Sequence, residues 1–272
     1  MKFYNNLLLL FCLIMMNPTF SRAGDRLDIP DNNWRLWPDT AAIWQNDDIF
    51  LPGEFKLDRL PVNSPTGGWN ILNDKTGVPV TLPATVEQYY WGKFGFRPYD
   101  NEYYFEQEDP QVKNGNYKGV SWWWTKIQIP NEYANKKIIL HIRGARLRAE
   151  VYLNQKLVGY HIITETSFNC DISKAASPGE VNLLAIRITN PGGEMDWVDT
   201  RMHMWGKYQF HMGHGFGGLD RGIFITAHDP VYLKDVWVFN TPDIKTIRVR
   251  GSIQNEVSNS NFFPAAISTF SF

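Results

Sequence analysis

Four short apolar segments with turn residues between them constrain the fold of this 272-residue chain more than any other feature. They span residues 119–130, 137–144, 149–159 and 179–190. In the second segment, Ile138, Leu140 and Ile142 alternate with their neighbours, which is the period of a half-buried β-strand. Repeated short strands separated by turn signals are typical of an antiparallel β-sandwich. Beyond the N-terminus no segment has the period of a long helix, so we predict an all-β protein.

Local signals refine this prediction. Proline lacks the N–H that a ladder needs, so Ile49–Leu51 and Val78–Leu82 are predicted to be edge strands near prolines. Segment 149–159 is predicted to be a hairpin that turns at Asn154-Gln155-Lys156. Either Gln155 adopts a positive φ there, or the turn is of another type.

The first 23 residues predict a secretory signal peptide. Lys2 gives a positive charge, Leu7–Met16 is apolar, and Ser21-Arg22-Ala23 has small residues where a cleavage site requires them. A membrane anchor needs about 18 or more apolar residues, and this stretch is shorter. We therefore expect no membrane span and a mature chain that starts near Gly24. The expected location is the periplasm, the cell surface or the medium.

Charge and cysteine content limit the partners and the compartment. The formal net charge is −1 and no basic face is evident, so we predict no nucleic-acid partner. Cys170 is the single cysteine after residue 23, which rules out an internal disulfide and fits a bacterial periplasm or surface. Because Cys170 falls on the same strand face as Phe168 and Ile172, we predict a buried small hydrophobe there and not a nucleophile.

Further segments match the motifs of one enzyme family. They are Trp69-Asn70, Val80-Thr-Leu-Pro-Ala-Thr85, Thr166-Ser-Phe-Asn-Cys-Asp-Ile172 and Gly217-Gly-Leu-Asp-Arg-Gly-Ile-Phe-Ile-Thr226. With the four apolar segments, they resemble the N-terminal sugar-binding, galactose-binding-like domain of glycoside hydrolase family 2. This family contains β-galactosidases, β-glucuronidases and β-mannosidases. The resemblance implies a jelly-roll-type antiparallel β-sandwich over residues 24–235.

In that family an immunoglobulin-like sandwich follows. Segments 235–238 and 246–253 resemble its first two strands, while the tail 261–272 has no matching strand. We therefore expect residues 236–272 to be the truncated start of an incomplete immunoglobulin-like sandwich.

The same resemblance implies that the catalytic residues are elsewhere. The catalytic glutamates of the family lie on a (β/α)₈ barrel, which needs about 200 or more residues of alternating strand and helix. No segment here has that pattern, so we name no catalytic residue and expect the chain to be inactive alone. Loop acids such as Glu102 and Glu194 are more simply interpreted as solvated side chains, because spacing in a loop predicts no distance.

The resemblance also implies that two loops of the sandwich contact the saccharide. In related β-galactosidases one such loop follows an R-x-x-N strand, here Arg187–Asn190, and another precedes the strand that begins here at Gly119. Carboxylates and amides suit hydroxyl-rich ligands, and tryptophans can stack on sugar rings or, as readily, anchor a long loop. The candidate binding residues are Asn116, Asp196, Trp197, Asp199 and Trp205.

Metal and ion-pair signals are weaker. His203, His211 and His214 match no zinc spacing, so we predict no metal or cofactor. A structural Ca²⁺ held by loop oxygens stays open, since it leaves no pattern in a sequence. Arg221 is predicted to be a buried ion-pair partner for an acid such as Asp220 or Asp171.

Three functions are compatible with these observations. In the first, the chain is the non-catalytic sugar-binding portion of an exported family 2 β-glycosidase, and its partners are a carbohydrate and the missing catalytic barrel. Alternatively, it is a free-standing secreted carbohydrate-binding module, or a structural interaction domain without a ligand.

Overall fold

The computed structural model describes residues 25–44, 47, 49–50, 56–90, 117, 119–162, 166–190, 202–205, 208–211, 217–255 and 266–271. Two compact units are distinguished by their internal contacts. The first comprises Leu27–Ala134 and Ile138–Ile225, and the second comprises the described residues of Met1–Arg26, Asn135–Lys137 and Thr226–Phe272.

The described residues are mostly in β-strands. Helical structure among them consists of α1 (Val86–Tyr90) and single 3₁₀ turns at Leu57–Arg59, Trp69–Ile71 and Asn131–Tyr133. The strands are β1 (Asp25–Asp28), β2 (Trp34–Asp39), β3 (Val78–Val80), β4 (Ala84–Thr85), β5 (Gly119–Gln128), β6 (Lys137–Ile142), β7 (Ala145–Arg146), β8 (Arg148–Leu153), β9 (Lys156–His161), β10 (Phe168–Asp171), β11 (Val181–Asn190), β12 (Met202–Trp205), β13 (Tyr208–His211), β14 (Gly218–Leu219), β15 (Phe224–His228), β16 (Val231–Asn240), β17 (Thr246–Asn255) and β18 (Ala266–Ser271).

Two main sheets form the sandwich. One has six strands in the order β3-β2-β5-β11-β8-β9, and the other has four in the order β1-β15-β6-β10. All five pairings of the six-stranded sheet are antiparallel. Its centre is the long pair β5–β11, which runs in continuous register from Gly119 opposite Asn190 to Gln128 opposite Val181. The expected all-β, antiparallel fold is therefore confirmed.

Alternating side chains pack these sheets together. Ile138, Leu140 and Ile142 of β6 are all buried, and Cys170 lies beside Leu140 on the neighbouring strand. A Cβ atom at Gly159 of β9 would overlap with the Cys170 sulfur, so the two sheets meet closely at this point. Burial raises the pKa of the Cys170 thiol to about 12, which makes it a packing residue, as the sequence predicted.

The six-stranded sheet is buried on both faces, which is unusual for an antiparallel sheet. Trp122 and Trp124 lie on one face of β5 and Trp123 on the other, and each is at most 1% exposed. The described residues of segment 42–72, which we call the covering segment, pack against the Trp122 face through Trp44, Trp69 and Leu72. The Trp69 ring lies 5.6 Å from that of Trp122 and 5.1 Å from that of Tyr152, both edge to face. These aromatic residues are therefore core residues of the sandwich.

Two local expectations have different outcomes. Asn154 and Gln155 have φ values of +50° and +68°, so the first of the two expected turn geometries, with a positive φ at Gln155, is the one present. The Asn154 side chain forms hydrogen bonds with Asn182 and with the Leu183 N–H. β3 lies at the sheet edge as predicted. The edge strand predicted at Ile49–Leu51 is wrong for its described residues, because Ile49 and Phe50 pack as irregular chain against Tyr160.

The second unit contains an antiparallel sheet in the order β16-β17-β18. The sequence-based expectation that the tail lacks a strand is wrong, because Ala266–Ser271 pairs with β17 from Thr246 to Gly251. Apolar side chains of β16, including Val236 and Val238, are more than half exposed in this sheet. The described part of this region is thus one three-stranded antiparallel sheet, and the truncated immunoglobulin-like domain over residues 236–272 stays a prediction.

Candidate functional site

The two segments that carry the predicted saccharide contacts begin and end beside one another. Tyr90 and Tyr117 flank segment 91–116, while Asn190 and Gly217 flank segment 191–216. Asn190 donates a hydrogen bond from Nδ2 to the Tyr117 carbonyl over 3.1 Å, and the Val86 N–H donates to the Gly217 carbonyl over 3.0 Å. Both segments therefore emerge from one place in the sandwich, which we call the loop base.

A buried carboxyl group joins the parts of the loop base. Glu87 is 2% exposed, and its Oε1 accepts a hydrogen bond from the Tyr117 N–H over 2.8 Å. Its Oε2 is buried, and the described residues provide it with no hydrogen-bond partner within bonding geometry. Burial raises the pKa of Glu87 from 4.5 to about 7, although hydrogen bonds from backbone groups oppose this shift. Glu87 therefore links α1 to the end of segment 91–116.

Three further polar residues complete the loop base. Tyr117 donates its hydroxyl to the Val120 carbonyl over 2.8 Å, and Tyr90 donates to the Leu36 carbonyl over 3.1 Å. Burial raises the pKa of Tyr117, and the charges of Asp39 and Glu87 add to the effect. Asp39 is 1% exposed and accepts hydrogen bonds from Trp122 and Thr66. The bonds of Tyr90 and Tyr117 attach both ends of segment 91–116 to strands of the six-stranded sheet.

A buried ionic cluster lies on the sheet face that segment 42–72 covers. Arg187 and Arg148 each contact Glu150, through Oε2 at 3.0 Å and Oε1 at 2.9 Å respectively. Arg187 also contacts Asp47 of the covering segment at 2.8 Å. The β8–β11 register places Glu150 opposite Arg187, which brings the charges together.

Every oxygen of Glu150 is engaged. Asn63 donates to Oε1 over 2.8 Å and the Tyr152 hydroxyl donates to Oε2 over 3.4 Å, in addition to the two arginines. Burial alone would lower the pKa of Arg148, but the charges of Glu150 and nearby groups hold it above its ordinary value. Glu150 is fully buried and both of its oxygens have partners, so this carboxylate is not available to a substrate.

The ionic cluster corrects the interpretation of Arg221. That side chain is exposed, and its backbone N–H, not its guanidinium, donates to Asp220 over 2.8 Å. The prediction of a buried ion pair at Arg221 is therefore wrong, and Arg148 and Arg187 fill this role. The R-x-x-N motif in the sequence already pointed to both features. Its Arg187 belongs to the ionic cluster, and its Asn190 donates a hydrogen bond in the loop base.

The predicted binding residues lie almost entirely outside the described part of the chain. Asn116, Asp196, Trp197 and Asp199 are not among the described residues. Trp205 ends β12, which pairs with β13 so that Trp205 is opposite Tyr208, and only its backbone is described. The structure brings together the ends of the two segments that carry these five residues and leaves the residues themselves as predictions.

The described residues contain neither a candidate metal centre nor a candidate membrane-spanning helix. No group of three or more His, Cys, Asp or Glu side chains among them could hold a metal ion. No helix in the described part of the chain is long and apolar enough to cross a membrane.

Comparison with known proteins relates this fold to glycoside hydrolases. No family model matches the chain. A β-galactosidase of Thermoanaerobacter pseudethanolicus is 29% identical over 138 residues, which is 50% of this chain and 16% of that protein. The structure of a Ruminococcus gnavus β-glucuronidase matches with a TM-score of 0.54 at 18% identity, over 88% of this chain and 34% of its own.

A third comparison names the family. A glycosyl hydrolase family 2 member from Bacteroides cellulosilyticus matches with a TM-score of 0.52 at 15% identity, over 90% of this chain and 29% of its own. This chain thus spans about a third or less of each matched protein. The resemblance predicted from the motifs is confirmed: the chain has the antiparallel β-sandwich fold of glycoside hydrolase family 2 proteins.

Proposed function

We propose that this chain is the non-catalytic, saccharide-binding portion of an exported family 2 glycoside hydrolase that acts on β-glycosides. In this proposal the sandwich holds two loops against a carbohydrate, and a catalytic barrel outside these 272 residues cleaves the glycosidic bond. The partners are therefore the carbohydrate and that barrel.

The loop base is the observation that carries the proposal. Segments 91–116 and 191–216 contain the polar and aromatic residues suited to a sugar, and their ends are tied together through Glu87, Tyr117 and Asn190. Binding loops on a rigid scaffold lose less freedom when a ligand binds, which favours affinity. The β-galactosidase and β-glucuronidase activities of the similar proteins indicate the class of ligand.

The buried carboxylates support a non-catalytic role. Retaining glycosidases need two carboxyl groups about 5 to 5.5 Å apart on either side of the scissile bond. Glu150 is sealed by two arginines, and Glu87 binds a backbone N–H inside the loop base. Both carboxyl groups are therefore occupied by contacts within the sandwich. A catalytic acid would need these oxygens for contact with the substrate.

Calorimetric titration of the purified chain with a panel of β-galactosides and β-glucuronides tests the binding. We expect binding of at least one saccharide, weakened about tenfold or more by Asp196→Ala or Asp199→Ala, because a charge-assisted hydrogen bond is lost. Asp74→Ala removes an exposed carboxylate that pairs with Lys126 and serves as the control. No binding across the panel would contradict the proposal and favour a structural domain.

Export is the second part of the proposal and has its own test. The apolar segment Leu7–Met16 and the small residues before Gly24 support cleavage by a signal peptidase. Mass spectrometry of the protein recovered from the bacterial periplasm or medium is expected to give an N-terminus near Gly24. Recovery of the uncleaved chain from the cytoplasm alone would contradict it.

A further inference from the structure

Contacts in the loop base form a closed circuit, which we call the contact ring. The Val86 N–H donates to the Gly217 carbonyl over 3.0 Å, and the Glu87 carboxyl group accepts the Tyr117 N–H over 2.8 Å. Asn190 donates to the Tyr117 carbonyl over 3.1 Å. Its side chain also lies against Gly217, where an added Cβ atom would be 2.9 Å from Asn190 Nδ2. Tyr117 and Gly217, the first described residues after the two segments, are therefore connected through both α1 and Asn190.

Glu87 is the one carboxyl group in the contact ring. Its side chain is buried, and the described residues give its Oε2 no hydrogen-bond partner within bonding geometry. The Tyr117 N–H and, more weakly, the Gly217 N–H act on this carboxyl group and favour its charged form, but burial outweighs them and raises its pKa to about 7. A negative charge on Glu87 is therefore less stable in the contact ring than in water.

The acidic groups around Glu87 do not compensate such a charge. Burial raises the pKa of Tyr117 and of Tyr90 above the ordinary value of 10.0, so both hydroxyl groups are neutral between pH 5 and pH 8. The charges of Asp39 and Glu87 both act on the Tyr117 hydroxyl, which places two acids around one tyrosine. Because like charges repel, Asp39 opposes the ionisation of Glu87.

The arginines on the neighbouring strands have other contacts. Arg35 of β2 donates to two backbone carbonyls of the turn before β3, over 2.9 and 3.0 Å. Arg187 of β11 belongs to the ionic cluster, and Arg146 of β7 lies across β14 from β4. The largest influences on the pKa of Glu87 are burial and neutral hydrogen-bonding groups, and none of these arginines is among them. Within the described residues, ionised Glu87 therefore lacks a close counter-charge.

We propose that Glu87 is a proton-dependent latch, which in its neutral form keeps Tyr117 and Gly217 together in the contact ring and on ionisation lets the ring open. Water solvates the charged carboxyl group better than the buried ring does, so ionisation favours the open state. Gly119 and Asn190 end the β5–β11 pairing, so the ring can open without breaking the pairs in the middle of the sheet.

Glu87 is thus a positioning residue for the two segments, since it acts through their ends. Its effect on saccharide binding rests on the proposed function, whereas the latch itself does not. The deciding experiment therefore uses no ligand, and its failure is distinct from a failure of the proposed function.

Amide hydrogen exchange of the full chain at pH 5 and pH 8 tests the latch. The quantity compared is the protection factor, which corrects for the pH dependence of intrinsic exchange. We expect the protection of the Tyr117 and Gly217 amides to fall about tenfold or more from pH 5 to pH 8. The rise in the pKa of Glu87 from 4.5 to about 7 limits this fall to about 300-fold. The Ile186 amide in the middle of β11 reports unfolding of the whole sandwich. At pH 8 it is expected to stay at least tenfold more protected than the Tyr117 amide.

Variants separate the charge of Glu87 from its contacts. Glu87→Gln resembles the neutral acid and keeps an acceptor for the Tyr117 N–H, so its protection factors are expected to change less than twofold between the two pH values. Glu87→Ala removes the acceptor and is expected to lower the protection of Tyr117 at both pH values, with thermal unfolding as the check that it folds. Glu132→Gln changes an exposed carboxyl group outside the contact ring and is expected to keep the wild-type pH dependence.

Three results would overturn the latch. One is equal protection of Tyr117 and Gly217 at pH 5 and pH 8 in the wild type. Another is a fall in Glu87→Gln as large as in the wild type. The third is equal protection of the Tyr117 and Ile186 amides at pH 8, which would mean that the sandwich unfolds as a whole and that no local opening of the contact ring takes place.

Discussion

At the scale of single residues, Glu150 is the group whose loss is expected to cost the most stability. Two arginines that are almost fully buried depend on its charge. We predict that Glu150→Gln lowers the free energy of unfolding by about 3 to 5 kcal/mol, because two buried guanidinium groups lose one of the two carboxylates, Glu150 and Asp47, that they contact. Urea denaturation followed by tryptophan fluorescence measures this loss.

The control for Glu150 is the exposed ion pair between Lys126 and Asp74, whose nitrogen–oxygen distance is 2.9 Å. Asp74→Asn is expected to change the free energy of unfolding by less than about 1 kcal/mol, since solvent screens such a pair. Similar effects of the two substitutions would mean that the buried arginines do not depend on the charge of Glu150.

Glu87 predicts a pH dependence of stability. Because burial raises its pKa from 4.5 to about 7, the folded chain keeps a proton in this interval that the unfolded chain releases. The contribution of Glu87 is therefore fully present below about pH 4.5 and is lost as the pH rises through 7. The loss is about 3 kcal/mol, from roughly 1.4 kcal/mol for each pH unit of the shift.

Urea denaturation at pH 5 and pH 8 measures the effect of Glu87. We expect Glu87→Gln to remove most of the difference between the two pH values, since the amide keeps an acceptor for the Tyr117 N–H. The quantity compared is the free energy of unfolding of the wild type minus that of the variant at each pH. The contributions of other titrating groups such as His228 cancel in this difference. An unchanged pH dependence in the variant would contradict the assignment.

Sequence reasoning reached few of these residues. Cys170 was predicted as a buried hydrophobe because its neighbours two positions away identify the strand face. The ionic cluster was missed because Asp47 is 140 residues from Arg187 and 101 from Arg148. Only the sheet register and the covering segment bring these charges together, and neither is visible in local periodicity.

At the scale of elements, the contact between β9 and β10 tests how tightly the two sheets pack. Gly159→Ala places a methyl group against the Cys170 sulfur. We predict a loss of about 1 to 3 kcal/mol in the free energy of unfolding, the usual cost of overpacking a core. Adding Cys170→Ala is expected to recover part of that loss, because it removes the atom that clashes.

A double-mutant cycle of these two substitutions measures the coupling by chemical denaturation. The contact predicts that the double variant is more stable than the sum of the single losses implies. Additive losses would show that the sheets are not in contact at this position.

Among the elements, the sequence predicted best where a strand has one buried face. In β6 the alternation of Ile138, Leu140 and Ile142 gave the strand and its face. Ile49 and Phe50 were misassigned because a short apolar run is also what a buried covering segment requires. β18 was missed because the sequence between it and β17, residues 256–265, is longer than the two to five residues of a usual hairpin loop.

At the scale of the whole molecule, the match in fold covers far more of this chain than of its relatives. The chain is 88% covered by the R. gnavus β-glucuronidase match and accounts for 34% of that protein. The family resemblance was predictable because its motifs are spread along the sandwich. The sugar was not, because its candidate contacts lie on long loops where spacing fixes no geometry.

The central claim is that this chain binds a saccharide and does not hydrolyse it. The most direct test is incubation of the purified chain with aryl β-galactoside and aryl β-glucuronide, with release of the aryl group measured beside calorimetric binding of the same sugars. The account predicts saccharide binding with no turnover above the buffer rate. Turnover by the chain alone that Asp196→Ala or Asp199→Ala abolishes would contradict it.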